Sequence, residues 1–226
     1  MCIRDSPLDR ELIQNPEGHY IIFATSQGRI KRSHLSDYVK INRNGKYAIK
    51  FAKDSDSLVQ VRPATEEDHV VLVSSMGYAC RFLPSEAKTR VDAATGESVT
   101  THTVRVQGRV SQGVAGMKLQ SGDRVVGMIV TDDFDTSVLT ISKHGMAKRS
   151  RLGSGSMVEI KLEDGTIAQG DDGGPLMERD GYRKTNRGTK GVRTMALSDG
   201  DSIIGVRQIP DLSDQLFMLT DTVSYT

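Results

Sequence analysis

A chain of 226 residues with 26% charged residues has a formal net charge of only +1, so any case for a polyanionic partner must rest on local charge. Two cysteines, Cys2 and Cys80, exclude a disulfide framework and suit a reducing cytosol. No apolar run approaches the roughly 18 residues that cross a bilayer, and residues 1–16 lack the apolar stretch of a signal peptide, so a soluble intracellular protein is expected.

In chain order, the first element is YIIFATSQGRIKRS (20–33): a β-prone run, a polar turn ending in Gly28, and a second run ending in basic residues. This is the grammar of a β-hairpin. VVLVSSMGYACRF (70–82) and SVLTISKHGMAKRS (137–150) repeat it around Gly77 and Gly145, and QLFMLTDTVSYT (215–226) begins a fourth copy. A second unit follows each hairpin: NGKYAIKF (44–51), QGVAGMKL (112–119) and KGVRTMAL (190–197). In each, apolar residues stand four and six places after a Gly (Ile49 and Phe51, Met117 and Leu119, Met195 and Leu197), a period of two that sets both on one face of a strand. A third unit closes each repeat with a short strand after an acidic turn: DSLVQVRPA (56–64), GDRVVGMIV (122–130) and GDSIIGVRQI (200–209).

Landmark spacing supports a true repeat. Gly45 to Gly77 and Gly113 to Gly145 are both 32 residues, while Gly28 to Gly45, Gly77 to Gly113 and Gly145 to Gly191 grow from 17 to 36 to 46. Extra residues have therefore entered at one equivalent place, as loops do on one side of a radial assembly. Insertions are assigned to about 88–103 and 152–181. The pattern predicts an all-β, propeller-like fold of about three complete four-stranded blades plus the start of a fourth. Charge alternates with the repeat. Residues 28–50 hold seven Lys or Arg against one Asp, 51–73 hold two against five acids, and 182–193 (YRKTNRGTKGVR) hold five and no acid. Around an axis the basic halves would join into a stripe that tracks the phosphates of a duplex.

FATSQGRIKRSHLSDY (23–38), VRVQGRVSQGVAGMKLQSGDRVVGMIV (104–130), LTISKHGMAKRSRL (139–152) and YRKTNRGTKGVRTM (182–195) together resemble the C-terminal domain of the DNA gyrase A subunit, over roughly residues 19–222. The resemblance implies a β-pinwheel whose basic outer rim bends and wraps duplex DNA, so that the ATP-driven holoenzyme introduces negative supercoils. It implies as partners duplex DNA, the catalytic domain of the same polypeptide and the gyrase B subunit, with a cytoplasmic, nucleoid-associated location. It implies no cofactor here, ATP and Mg2+ being used elsewhere in the holoenzyme. The family's box, Gln-Arg-Arg-Gly-Gly-Lys-Gly, is matched within 185–191 at Arg187, Gly188, Lys190 and Gly191. Arg187 and Lys190 would neutralise a phosphate that Gly188 and Gly191 let approach. The other expected DNA contacts are Arg29, Lys31, Arg32, Arg43, Lys46, Arg105, Arg109, Lys148 and Arg149.

Departures from the family pattern are the partial box and three repeats where six are usual. The strand-cleaving tyrosine belongs to a separate domain, and none of Tyr20, Tyr38, Tyr47, Tyr78, Tyr182 or Tyr225 has its context, so no DNA cleavage is expected of this chain. MCIRDS (1–6) and VSYT (223–226) belong to no repeat; residues 1–18 are expected to be a non-native or disordered edge and 223–226 a non-native end, with the domain proper at 19–222. GDDGGP (170–175) has Asp172 where a serine-protease motif has its nucleophile, TDDFDT (131–136) lacks EF-hand spacing, and the five histidines lack paired zinc spacing. Two other readings stand beside the first: the corresponding domain of topoisomerase IV, which serves decatenation, and a propeller-like protein-interaction module.

Overall fold

The computed structural model describes residues 10–40, 44–45, 47–91, 96–170 and 173–210. Helix is confined there to two short pieces, α1 (Arg10–Gln14) and α2 (Ser36–Val39). The remaining elements are strands. They run β1 (Tyr20–Thr25), β2 (Arg29–His34), β3 (Leu58–Ala64), β4 (His69–Ser74), β5 (Tyr78–Phe82), β6 (Ala87–Val91), β7 (Ser98–His102), β8 (Val114–Ala115) and β9 (Val125–Thr131). They continue with β10 (Ser137–Ser142), β11 (Ala147–Arg151), β12 (Met157–Glu159), β13 (Met177–Arg179), β14 (Val192–Arg193) and β15 (Ile203–Ile209).

All three expected hairpins within the described residues form, as β1–β2, β4–β5 and β10–β11, all antiparallel. Each turns through a backbone hydrogen bond from its glycine N–H to the carbonyl three residues before: Gly28 to Thr25, Gly77 to Ser74 and Gly145 to Ser142, at 3.0–3.1 Å. The three glycines have φ of 77°, 83° and 85°, a region closed to most side chains, which is why the turn residue recurs. The fourth hairpin, 215–226, lies outside the described residues.

The sheets are assembled differently from the order of the repeats. The third unit pairs with the hairpin of its own repeat (β3 on β1, β9 on β4, β15 on β10), but the second unit pairs with the hairpin of the repeat before it. Thus β8 completes the sheet β3-β1-β2-β8, and β14 completes β14-β5-β4-β9. The third sheet has three strands, β11-β10-β15, so the expected three four-stranded blades are two of four strands and one of three among the described residues. The second units of the second and third repeats each link two blades, because their main-chain hydrogen bonds belong to one blade and their sequence neighbours to the next.

Burial follows from this stacking. Along β4 all four residues from Val70 to Val73 are fully buried, with Val70 and Leu72 in the core shared with the first blade and Val71 and Val73 in the core shared with the third. A strand covered on both faces loses the period-two alternation of a half-buried one. β10 keeps it, with Val138 and Thr140 buried and Leu139 and Ile141 half-buried. The two insertions form their own hairpins, β6–β7 and β12–β13, outside the blades.

The acidic turns have a specific task. Asp56 accepts from the Ser26 hydroxyl at 3.0 Å and the Gln27 N–H at 2.9 Å. Asp123 does the same for Ser75 at 2.9 Å and Met76 at 3.0 Å, and Asp201 accepts from the His144 N–H at 3.1 Å. Each carboxylate clasps the hairpin turn to the start of the third-unit strand. A matching register shift occurs in all three sheets, after Ala24, Val73 and Ile141. Hydrogen bonds to a charged, largely buried acceptor carry more than neutral ones. Asp123→Ala is expected to lower stability by about 2 kcal/mol, read by chemical denaturation, whereas alanine at exposed Asp133 should change it little.

Candidate nucleic-acid interface

The cations of the hairpins divide into buried and exposed sets. Lys31 and Arg32 are 0% and 1% exposed, so they have no surface to offer a phosphate. The Lys31 ammonium donates to the carbonyls of Ala48 and Arg109, both at 2.6 Å. Arg32 lies 3.7 Å from the centre of the Tyr20 ring and ion-pairs with Glu66 at 2.7 Å. This corrects the expectation for both: alternation along a strand buried on two faces directs them inward, where only carbonyls, an aromatic face and a carboxylate can offset desolvation.

Arg81, the equivalent of Arg32 in the second hairpin, is also 1% exposed. One guanidinium nitrogen donates to the carbonyls of Leu152, Gly153 and Tyr182, at 3.0, 2.7 and 2.8 Å. It thereby pins both feet of the 152–181 insertion to the second blade. Its Nε lies 3.3 Å from His69 Nδ1, and the guanidinium lies over Phe134, 4.8 Å from the ring centre. Burial and the Arg81 charge together push His69 down to about 4, which matches an imidazole that accepts from Arg81.

The box residues are largely engaged by the fold as well. Arg187 Nε donates to Thr103 O at 2.7 Å and its NH1 to Ala115 O at 2.5 Å, joining the box to the first blade. The Gly188 N–H donates to Gly116 O at 2.7 Å. Gly191 abuts β5 so closely that a Cβ would lie 2.1 Å from Ala79 O. Gly191 thus serves strand packing, whereas a Cβ on Gly188 would meet nothing closer than Ala115 O at 3.8 Å. Arg29 donates to the carbonyls of Gln112 and Gly113 at 2.8 and 2.7 Å. Lys190 stands 4.0 Å from the centre of the Tyr78 ring and is half-buried. Arg109 is half-buried, and Arg43 and Lys46 lie outside the described residues.

Arg105, Lys148 and Arg149 are exposed. Arg183, Lys184, Arg193 and Arg151, not singled out from sequence, are exposed too. They connect through shared concavities. Arg29 and Arg105 line one, Arg105 and Arg187 the next, Arg183, Lys184 and Lys190 a third, and Lys148, Arg151, Arg183 and Arg193 a groove of about 550 Å3 beside β11. The result is a cationic band from the first blade to the third. A signal for Arg183 was present in the sequence: Arg105 and Arg183 each stand eight residues before the packing glycines Gly113 and Gly191.

Comparison with known proteins agrees with this architecture. The family model described as DNA gyrase C-terminal domain, beta-propeller, matches residues 19–65, 98–132, 136–154 and 177–210. The chain belongs to this family. It is 32% identical to the DNA gyrase A subunit of Staphylococcus epidermidis over 184 residues, 81% of this chain and 16% of the relative. It is also 32% identical to the DNA gyrase A subunit of Rickettsia felis, over 89% of this chain and 23% of the relative. The chain therefore spans a quarter or less of these curated relatives. Among solved structures, the C-terminal domain of DNA topoisomerase IV shares the fold, with a TM-score of 0.51 at 20% identity, covering 85% of this chain and 62% of that one. The family match leaves out 66–97, which holds the β4–β5 hairpin, and 155–176, which is most of the longer insertion.

The inward cations make a pH prediction. An imidazole held near 4 when folded and near 6.5 when unfolded lets the unfolded chain bind more protons between those values, so stability falls as pH drops through that window. His69→Gln is expected to flatten this part of the profile of denaturation midpoint against pH, while retaining an acceptor for Arg81.

Proposed function

We propose that this chain binds duplex DNA along the cationic band and, as part of gyrase A, bends it for ATP-dependent negative supercoiling by the holoenzyme. The observation that carries the proposal is the band itself: Arg105, Arg183, Lys184 and Arg193 keep exposed side chains while equivalent strands bury theirs. An exposed guanidinium or ammonium can release counterions from a phosphate, and a buried one cannot. Contacts to phosphate carry no base information, so binding is largely independent of sequence. Bending stiff duplex costs several kcal/mol, and contacts spread over successive blades offset that cost. The partners are then duplex DNA, the catalytic domain of the same polypeptide and the gyrase B subunit, in the cytoplasm. Strand cleavage falls to the catalytic domain.

The corresponding domain of topoisomerase IV is the second reading, supported by the incomplete box at 185–191. It would use the same band without supercoiling. The two separate in a plasmid topology assay with the chain restored to its full-length enzyme: negative supercoiling supports gyrase, and decatenation alone supports topoisomerase IV.

The band is tested by a duplex-DNA gel shift across a salt series, comparing the chain with an Arg105→Ala, Arg183→Ala, Lys190→Ala variant. Binding should fall steeply with salt, and the variant should lose about 0.9 of the log–log slope for each phosphate contact removed. A folded chain that fails to bind duplex DNA at low salt overturns the proposal.

A further inference from the structure

Between the end of the longer insertion and β14, one buried residue holds a short stretch of chain at both ends. The Tyr182 carbonyl accepts from the Arg81 guanidinium at 2.8 Å. Three residues on, the Thr185 N–H donates to Arg81 O at 2.6 Å, and the Thr185 hydroxyl accepts from the Arg81 N–H at 3.1 Å. The side chain and the main chain of Arg81 therefore grip the stretch 182–185 from either end. Its middle is Arg183 and Lys184, which are exposed, while Tyr182 is buried and Thr185 half-buried.

The first end of the grip rests on a stiff neck. The guanidinium nitrogen that reaches Tyr182 O also donates to Leu152 O and Gly153 O, at 3.0 and 2.7 Å, and the Tyr182 N–H donates to Leu152 O at 2.9 Å. A Cβ on Gly181 would lie 2.2 Å from Leu152 O, and one on Gly153 2.2 Å from Asp180 O, so the two sides of the neck meet backbone to backbone. Chain entering at Tyr182 has no slack. Among the described residues the N–H groups of Arg183 and Lys184 donate to no backbone carbonyl, so this pair is placed by its neighbours rather than by bonds of its own.

The first blade lacks the full grip. Gln107 N–H donates to Arg32 O at 2.8 Å, as Thr185 does to Arg81 O. The Arg32 guanidinium, however, is taken by Glu66 at 2.7 Å, and its second terminal nitrogen has no hydrogen-bond partner among the described residues. Arg32 therefore holds the corresponding stretch, 104–107, at one end only.

We infer that Arg81 is a positioning residue for DNA: by fixing Tyr182 and Thr185 it sets Arg183 and Lys184 outward as a pair of phosphate contacts. The inference rests on duplex DNA lying along the cationic band. Arg81 is 1% exposed and touches no phosphate itself. Its effect comes through preorganisation, because a stretch already ordered loses less freedom when it binds. Lys184 is paired with Glu86 at 2.6 Å on the surface, and such a pair yields readily to a phosphate. The same guanidinium holds Leu152 and Gly153, so the insertion and the DNA contacts share one support.

The test is the salt dependence of duplex-DNA binding by the 226-residue chain, with Arg81→Met, Arg81→Lys, Arg183→Ala/Lys184→Ala and the triple combination with Arg81→Met. Arg81→Met should lose about 0.9 of the log–log slope for each of the two contacts, as the double alanine variant does. The triple variant should lose no more than the double, since the residues act as a unit. Arg81→Lys, which keeps a charged donor for the carbonyls, should retain most of the slope, and Arg32→Met should leave it unchanged. A folded Arg81→Met with full slope overturns the inference and leaves the band intact, and so does an equal loss in Arg32→Met, which would mark general loosening. A folded parent chain that binds no duplex DNA overturns the band, and this inference with it. Amide hydrogen exchange of the parent chain is independent of how the variants fold: Tyr182 and Thr185 should be protected and Arg183 and Lys184 should exchange fast, and unprotected amides at both 182 and 185 overturn the grip.

Discussion

Everything in this molecule depends on a main-chain debt between neighbours. A hairpin buried on its outer edge must have its strand hydrogen bonds met, and here they are met by residues from the following repeat: Val114 and Ala115 for the first blade, Val192 and Arg193 for the second. Because the same short segment belongs by sequence to one blade and by hydrogen bonding to another, successive blades cannot drift apart without breaking a sheet. The Gly113 and Gly191 contacts set how closely the segments approach, and the large side chains of Met117 and Met195, 4% and 5% exposed, then fill the space between blades.

That closeness determines what basic residues can do. Lys31, Arg32 and Arg81 sit under a fourth strand, where a charge is tolerated only with good partners, and each finds carbonyls, an aromatic face or a carboxylate. They act as pins between repeats. Lys184 and Arg151 keep exposed surface beside their acidic neighbours, Glu86 at 2.6 Å and Asp135 at 2.8 Å. Such exposed pairs are weak, so little opposes their exchange for phosphate. The same residue types thus serve cohesion or ligand binding according to whether a strand covers them.

The acidic halves of the repeat have a parallel division. Asp56, Asp123 and Asp201 are clasps of the hairpin turns, and Ser142 and the His144 N–H hold the Asp201 carboxyl below the usual range. The acids of the 155–176 insertion stand outside the blades and outside the family match. The charge alternation seen along the chain therefore mixes structural acids with solvated ones, and it overstates how much of the basic half faces outward.

The sequence by itself determined the hairpins, their turn glycines, the strand character of the three units and the family, because these depend on local backbone preferences and on spacing. Gly28, Gly77 and Gly145 need positive φ whatever surrounds them. Tertiary structure alone decided which hairpin each second unit completes, since strand pairing across repeats leaves the spacing of the glycines unchanged. It also decided which cations face water. IKRS at 30–33 and AKRS at 147–150 read almost identically, yet Lys31 is sealed among Phe23, Tyr38, Ala48 and Arg109 while Lys148 lies exposed among the described residues. The physical reason is that exposure of a strand residue depends on what packs against the strand, and here that partner comes from far along the chain, as Arg29 pairs with Ala115.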